Sequence, residues 1–235
     1  MLQRLREEVL EANLELVRKG LVRYTFGNAS AISRKEGLIV IKPSGVPYEE
    51  MKPEHLVVTD LNGIVVEGKL KPSSDLPTHL VLYNQFPAIG GIAHTHSEYA
   101  TAWAQARRPI PCFGTTHADY FHGPVPVTAE MSDDEINQYY EKNTGYAIIR
   151  SLVQKDPSAT PGVLVANHGP FAWGVDAASA AHHAVILELI ARMAYYTLSI
   201  NAASQPVGAV LHNLHYLRKH GPEAYYGQAE PKDMQ

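Results

Sequence analysis

The sequence predicts an α/β fold in which one sheet is covered by helices on both faces. Three observations carry this: helical and β-rich stretches alternate along the chain, an Asn-Gly pair joins two β-branched runs as a hairpin, and the apolar content suffices for a two-sided core. The 235 residues are 45% hydrophobic. No stretch reads as a linker, a repeat or a low-complexity segment, so residues 1–235 are expected to form one domain. The formal net charge of -4 and the lack of a long basic run argue against nucleic acid as a partner. Cys112 is the only cysteine, which rules out an intrachain disulfide, and no apolar run approaches the roughly 20 residues of a membrane span. The expectation is a cytoplasmic protein that does not bind membranes.

Element by element, the first 20 residues place Leu2, Leu5, Val9, Ala12 and Leu16 at spacings of three and four among Arg and Glu. That pattern is an amphipathic helix, not a signal peptide, with Gly20 as its C-cap. β-rich runs follow at 29–33, 38–42 and 56–59, the last joined through Asp60-Leu61-Asn62-Gly63 to Ile64-Val65-Val66. Ser74 or Asp75 caps a helix with Pro77 in its first turn, running to about Phe86. A strand over 89–95 leads to a helix over 97–106 with Ser97 as N-cap. Residues 108–129, rich in Pro, Gly, Thr and His, are too long for a simple connection, and such loops are usually functional. Ser132-Asp133-Asp134-Glu135 is a capping box that opens a helix through about Gln154. A buried strand over 162–166 delivers Asn167-His168-Gly169. An Ala-rich helix from Asp176 or Ala177 to about Ser199, a helix near 208–220 and a polar tail complete the chain.

The chemistry concentrates in few residues. On a strand, His94 and His96 share one face, because side chains alternate with period two. Two histidines two apart are common in surfaces and cores, but this pair ends an apolar Gly-containing run and precedes a helix cap. It therefore sits at a strand's carboxyl end, where open α/β sheets bind ligands. His168 from a second strand end and the carboxylate of Asp75 would complete a nitrogen and oxygen set that zinc accepts, and that also suits manganese or cobalt. Three small-residue loops flank these positions: Thr25-Phe26-Gly27-Asn28, Lys42-Pro43-Ser44-Gly45 and Pro72-Ser73-Ser74. Each taken singly reads as a turn; together, their hydroxyls, amides and exposed N–H groups can form a phosphate cradle.

The combination of Gly27-Asn28, Lys-Pro-Ser-Gly at 42–45, Lys-Pro-Ser-Ser-Asp at 71–75, His94-Thr95-His96-Ser97, Gly-Thr-Thr-His-Ala-Asp-Tyr-Phe at 114–121, His168-Gly169-Pro170-Phe171 and a tail bearing Tyr225-Tyr226-Gly227 closely resembles the L-ribulose-5-phosphate 4-epimerases, a branch of the class II aldolase superfamily. The resemblance spans essentially the whole chain. It implies a three-layer α/β/α fold with a central, mostly antiparallel sheet. It also implies a homotetramer with active sites between subunits, each completed by the neighbouring tail at about 221–235. Position by position, it implies Asp75, His94, His96 and His168 as zinc ligands, one ion per subunit. Gly27, Asn28, Lys42, Ser44, Gly45, Ser73 and Ser74 become the phosphate pocket, Asp119 and Tyr226 the acid/base pair, and Thr115, Thr116, Glu141, His215 and Arg218 supporting residues.

The implied reaction is chemically coherent with those residues. The C4 hydrogen of a phosphorylated 2-ketopentose is not acidic, so inversion there requires breaking and re-forming the C3–C4 bond, with a divalent metal as the Lewis acid. Unperturbed values of about 4 for Asp and about 10 for Tyr make one a base and the other an acid near neutrality. Two rivals remain: an aldolase that cleaves a sugar 1-phosphate for net products, against which the tail weighs, and a non-catalytic adducin-like assembly module, against which the intact ligand set weighs. The remaining histidines, His55, His79, His122, His182, His183 and His212, are expected on helix faces or at the surface.

Overall fold

The computed structural model describes residues 2–225. In chain order the main elements are α1 (Gln3–Arg18), β1 (Asn28–Ser33), β2 (Leu38–Ile41), β3 (Val57–Asp60), β4 (Val65–Glu67), α2 (Leu76–Gln85), β5 (Gly91–His94), α3 (Glu98–Gln105), α4 (Thr115–Ala118), α5 (Asp133–Asn137), α6 (Tyr140–Ser151), β6 (Gly162–Val165), β7 (Gly169–Gly174), α7 (Ala177–Ile200) and α8 (Ala209–His220). The strands form one sheet in the order β4-β3-β2-β1-β5-β7-β6, and every neighbouring pair is antiparallel. The expected three layers are present. Helices α1 and α7 cover one face and α2 and α6 the other, while α3 packs on α7 and β7.

Alternation along the strands sorts side chains between the two faces. Ala29, Ala31, Val40, Ala93 and Ala172 join the core under α1 and α7. Ile32, Ile39, Ile92, Phe171 and Trp173 join the core under α2 and α6. The small residues lie beneath the long helix and let it approach closely. A Cβ on Gly91 would stand 2.2 Å from the Asp176 carbonyl oxygen, so the glycine is what allows the start of α7 to press against β5. Asp176 caps that helix by accepting from the Ser179 amide. Phe171 and Trp173 are almost fully buried, each stabilising the fold by about 1.5–3 kcal/mol through lost contact with water.

Three expectations change. The histidine strand is shorter than 89–95, ending at His94, and Thr95 and His96 continue beyond the ladder. The helix expected from Ser132 to Gln154 is two helices. The capping box of Ser132 and Glu135 forms as expected, but α5 stops at Asn137, and Tyr139 takes φ 63 before α6 begins. Strand β7 is not among the elements the sequence predicts, because Gly169-Pro170 resembles a loop. It pairs with β6 as a hairpin whose tight turn carries Asn167, at φ 61, and His168. Among the described residues, no helix is long and apolar enough to cross a membrane.

Candidate active site and metal centre

His94 and His96 leave the carboxyl end of β5, and His168 arrives from the turn between β6 and β7, where β7 lies beside β5. One nitrogen from each of the three rings falls within 4.8 Å of the others. The Nε2 atoms of His94 and His96 stand 3.2 Å apart, close to the roughly 3.3 Å edge of a tetrahedron with zinc–nitrogen bonds of about 2.05 Å. His94 Nδ1 lies 2.9 Å from the Pro170 carbonyl oxygen. A carbonyl only accepts, so Nδ1 carries the proton and Nε2 presents its lone pair to the centre. Phe171 stacks on the His94 ring at 4.1 Å between centroids, which fixes the plane of that ring.

Burial pushes all three imidazoles below their ordinary pKa, His168 to about 3 with help from His94 and His96. Neutral rings are the form that binds a cation. Asp75, just before α2, lines the same cavity. Burial pushes its carboxyl up, but the field of His94, His79 and His168 and a hydrogen bond from Asn28 outweigh that and hold it below the usual range. Asn28 Nδ2 donates to Asp75 Oδ2 at 2.6 Å. The cluster that meets the metal-site distance consists of the histidines alone, so Asp75 lies outside that cluster, with Oδ2 accepting from Asn28. The three converging nitrogens and the adjacent carboxylate fit a divalent cation of the zinc type.

The three small-residue loops meet beside this centre. Gly27, Asn28, Lys42, Ser44, Gly45, Ser73, Ser74, Asp75, His94, His96, Glu141 and His168 all line one cavity of about 380 Å³. Ser44 N donates to Lys71 O and Ser73 N to Lys42 O, both at 2.9 Å, so the loops at 42–45 and 71–75 are clamped edge to edge. Gly27 has φ 76, and a Cβ there would lie 2.8 Å from the His94 carbonyl oxygen and from Val22 Cγ1, which no other residue accommodates. The Lys42 amine reaches the Thr25 and Pro43 carbonyls at 3.3 and 3.4 Å and lies 4.7 Å over the Tyr48 ring. Among the described residues no carboxylate pairs with it, and burial lowers its pKa to about 8. A larger groove of about 760 Å³ between the β3–β4 turn, α2 and α6 contains no histidine and no phosphate-loop residue, so it is not this site.

The remaining expected residues lie elsewhere. Asp119, Thr115, Thr116, His215 and Arg218 do not line the histidine cavity. Asp119, at the end of α4, accepts from Arg218 Nε at 3.2 Å and Nη2 at 3.0 Å, and lies 3.0 Å from His215 Nδ1 and 3.6 Å from Lys219 Nζ. Its own burial pushes the carboxyl up, but Arg218, His215 and Lys219 more than offset this and keep it below the usual range. Tyr226 lies outside the described residues. Sequence reasoning missed Tyr140, which lines the cavity and whose hydroxyl is 3.2 Å from His168 Nδ1; its adjacency to Glu141 was the only trace. His79, expected on a helix face or at the surface, lies on α2 but is fully buried, with Nδ1 2.7 Å from Ser30 Oγ and Nε2 without a hydrogen-bond partner among the described residues.

The family model of the Class II Aldolase and Adducin N-terminal domain matches residues 7–195. The chain belongs to that class II aldolase and adducin family. It is 55% identical to "L-ribulose-5-phosphate 4-epimerase UlaF" of Salmonella paratyphi B (strain ATCC BAA-1250 / SPB7) over 227 residues, 97% of this chain and all of that one. It is 54% identical over the same span to the protein of that name from Salmonella typhi. Among solved structures, an "L-fuculose 1-phosphate aldolase" superposes with a TM-score of 0.77 at 28% identity, covering 92% of this chain and 96% of the other. The family match stops within α7, whereas the epimerase relatives match nearly the whole chain. Helix α8, with His215 and Arg218, thus lies in the part shared with them and beyond the common class II aldolase match.

Proposed function

We propose that this chain is an L-ribulose-5-phosphate 4-epimerase, interconverting L-ribulose 5-phosphate and D-xylulose 5-phosphate at a divalent metal centre, with zinc the favoured ion and manganese or cobalt able to replace it. The reading is carried by one observation: three convergent histidines and three phosphate-type loops line a single cavity in a chain related end to end to proteins of that name. His94, His96 and His168 would hold the metal, with Asp75 as the carboxylate of the set. When bound, a divalent cation supplies Lewis-acid stabilisation of the charge that develops on the C2 and C3 oxygens as the C3–C4 bond breaks.

The chain's own groups supply the rest. Lys42 and the hydroxyls and amides of Gly27, Asn28, Ser44, Gly45, Ser73 and Ser74 suit the phosphate, which must stay anchored while the aldehyde fragment turns to present its other face. Glu141 borders the same cavity. Asp119 is held ionised, the starting state of a base, and Tyr226 is the complementary acid. Because Asp119 lies apart from the histidine cavity of its own chain, the complete site in this reading joins the cavity of one subunit to the Asp119 and Tyr226 region of the next, within a homotetramer. The exposed apolar residues Ile200, Val210, Leu211, Leu214 and Leu217 along α7 and α8 support a subunit contact there.

The test is to incubate the purified protein with L-ribulose 5-phosphate deuterated at C4. D-xylulose 5-phosphate that retains the label is expected, since cleavage of C3–C4 never removes that hydrogen. Chelation should abolish the conversion, and zinc or manganese should restore it. Loss of deuterium to solvent would refute the bond-cleavage route, and full turnover without metal would refute the metal centre.

A further inference from the structure

We propose that Tyr140 is a positioning residue for His168, its hydroxyl setting which ring nitrogen that histidine turns toward the metal centre. The inference rests on the reading of His94, His96 and His168 as a metal site. The two clearest ligands differ in how their rings are fixed. His94 has its Nδ1 proton on a main-chain carbonyl, which permits one tautomer. The backbone of His168 is fixed by the hairpin turn, with its amide donating to Val165 O at 3.0 Å. Among the described residues, the one hydrogen-bond partner of the His168 ring is the Tyr140 hydroxyl, 3.2 Å from Nδ1.

A hydroxyl can both donate and accept. If Tyr140 accepts from Nδ1–H, the Nε2 lone pair is free for a metal. If Tyr140 donates to Nδ1, the proton sits on Nε2 and ligation is blocked. Metal binding therefore selects the first arrangement, and Tyr140 keeps the ring turned so that this nitrogen faces the centre. The tyrosine can do so because its own place is rigid. It is the first residue of α6, set by the left-handed Tyr139. The Asn143 side chain donates to the Glu135 carbonyl at 2.8 Å, and Thr144 Oγ1 donates to Tyr140 O at 2.9 Å. Gly145 lets α6 sit against α2 so closely that a Cβ would lie 2.7 Å from Val81 Cβ.

The experiment compares wild type with Tyr140→Phe, His168→Gln and the double variant as purified metal-free proteins. Zn²⁺ affinity is measured by competition with a chromophoric chelator, and the His168 tautomer by nitrogen-15 NMR of the imidazole. Tyr140→Phe should weaken Zn²⁺ binding by roughly 10–100-fold, move the tautomer population and leave the melting temperature of the metal-free protein unchanged. In the His168→Gln background it should cost nothing further. Wild-type affinity in Tyr140→Phe, with His168→Gln impaired, would overturn the positioning role and leave the metal site standing. Equal losses from Tyr140→Phe in both backgrounds would overturn it too, because the tyrosine would then act elsewhere. Wild-type affinity in His168→Gln would remove the metal reading and this inference together.

Discussion

Replacing Asp119 by Asn should undock α8 while leaving the sheet intact. Within its own chain helix α8 buries none of its residues, so apolar packing against that chain does little to hold it. Its charged side chains gather on Asp119 instead: Arg218 makes three hydrogen bonds to the carboxylate, His215 and Lys219 lie beside it, and His220 Nε2 is 2.9 Å from its backbone oxygen, while His212 and Asn213 reach Phe121, His122 and Gly123 nearby. Charged hydrogen bonds contribute about 1.5–3 kcal/mol each when shielded and far less when wet. The Asp119 and Arg218 side chains are 12% and 21% exposed. Allowing for that exposure, and for the backbone contact that Asn retains, the loss should be about 2–3 kcal/mol, roughly a 30- to 150-fold faster opening of α8. The assay is amide hydrogen exchange, comparing 209–220 with α7 and β5. The variant should also change the acid response. Asp119 titrates lower in the folded than in the unfolded chain, so its stabilisation is present above the ordinary value of about 4 and is lost as the pH falls through the folded value. Wild-type α8 should loosen in that acidic range, and Asp119→Asn should show no such step. Unchanged exchange in α8 at neutral pH would refute the clamp.

Other outcomes follow from the same geometry. Mixing inactive His96→Asn with inactive Tyr226→Phe subunits should restore roughly a quarter of the sites if each is shared around a closed ring; remixed subunits that stay inactive would place both residues' contributions within one chain. Lys42, lowered to about 8 by burial, should titrate higher once phosphate is bound, so sugar-phosphate affinity should be full below about 8 and fall as the pH rises toward the bound-state value. Calorimetry across that range should show a flat profile for Lys42→Arg, and equal slopes in both proteins would remove Lys42 from the phosphate pocket. Tyr139, at φ 63 and 78% exposed, should tolerate Gly at little net cost, whereas Val should destabilise by about 1–2 kcal/mol. Thermal melts that rank Val above Gly would contradict the left-handed break before α6.

Period and punctuation made most of the fold legible. The spacing of Leu5, Val9, Ala12 and Leu16, the Asn62-Gly63 turn, the capping box at Ser132 and the helix start at Asp176 or Ala177 are local signals, decided by neighbours within a turn or two of chain, and each is present where expected, although the helix that Ser132 opens stops at Asn137. The motif residues also revealed which side chains would share a cavity, because the loops at 25–28, 42–45 and 71–75 and the histidines carry their chemistry in residue type. What the sequence lacked was anything set across the sheet. Strand β7 carries Gly and Pro that read as loop; it is a strand because β5 and β6 offer hydrogen-bonding partners on both sides. The break at Tyr139 has no local marker, and that break is what brings Tyr140 to His168. The separation of Asp119 from the histidines was equally invisible, since α4 and α8 meet through contacts almost a hundred residues apart in sequence. Local propensity and residue chemistry act over a few residues and can be read along the chain. Pairing, ring orientation and the choice of which cavity a side chain enters depend on groups that only the folded backbone brings together.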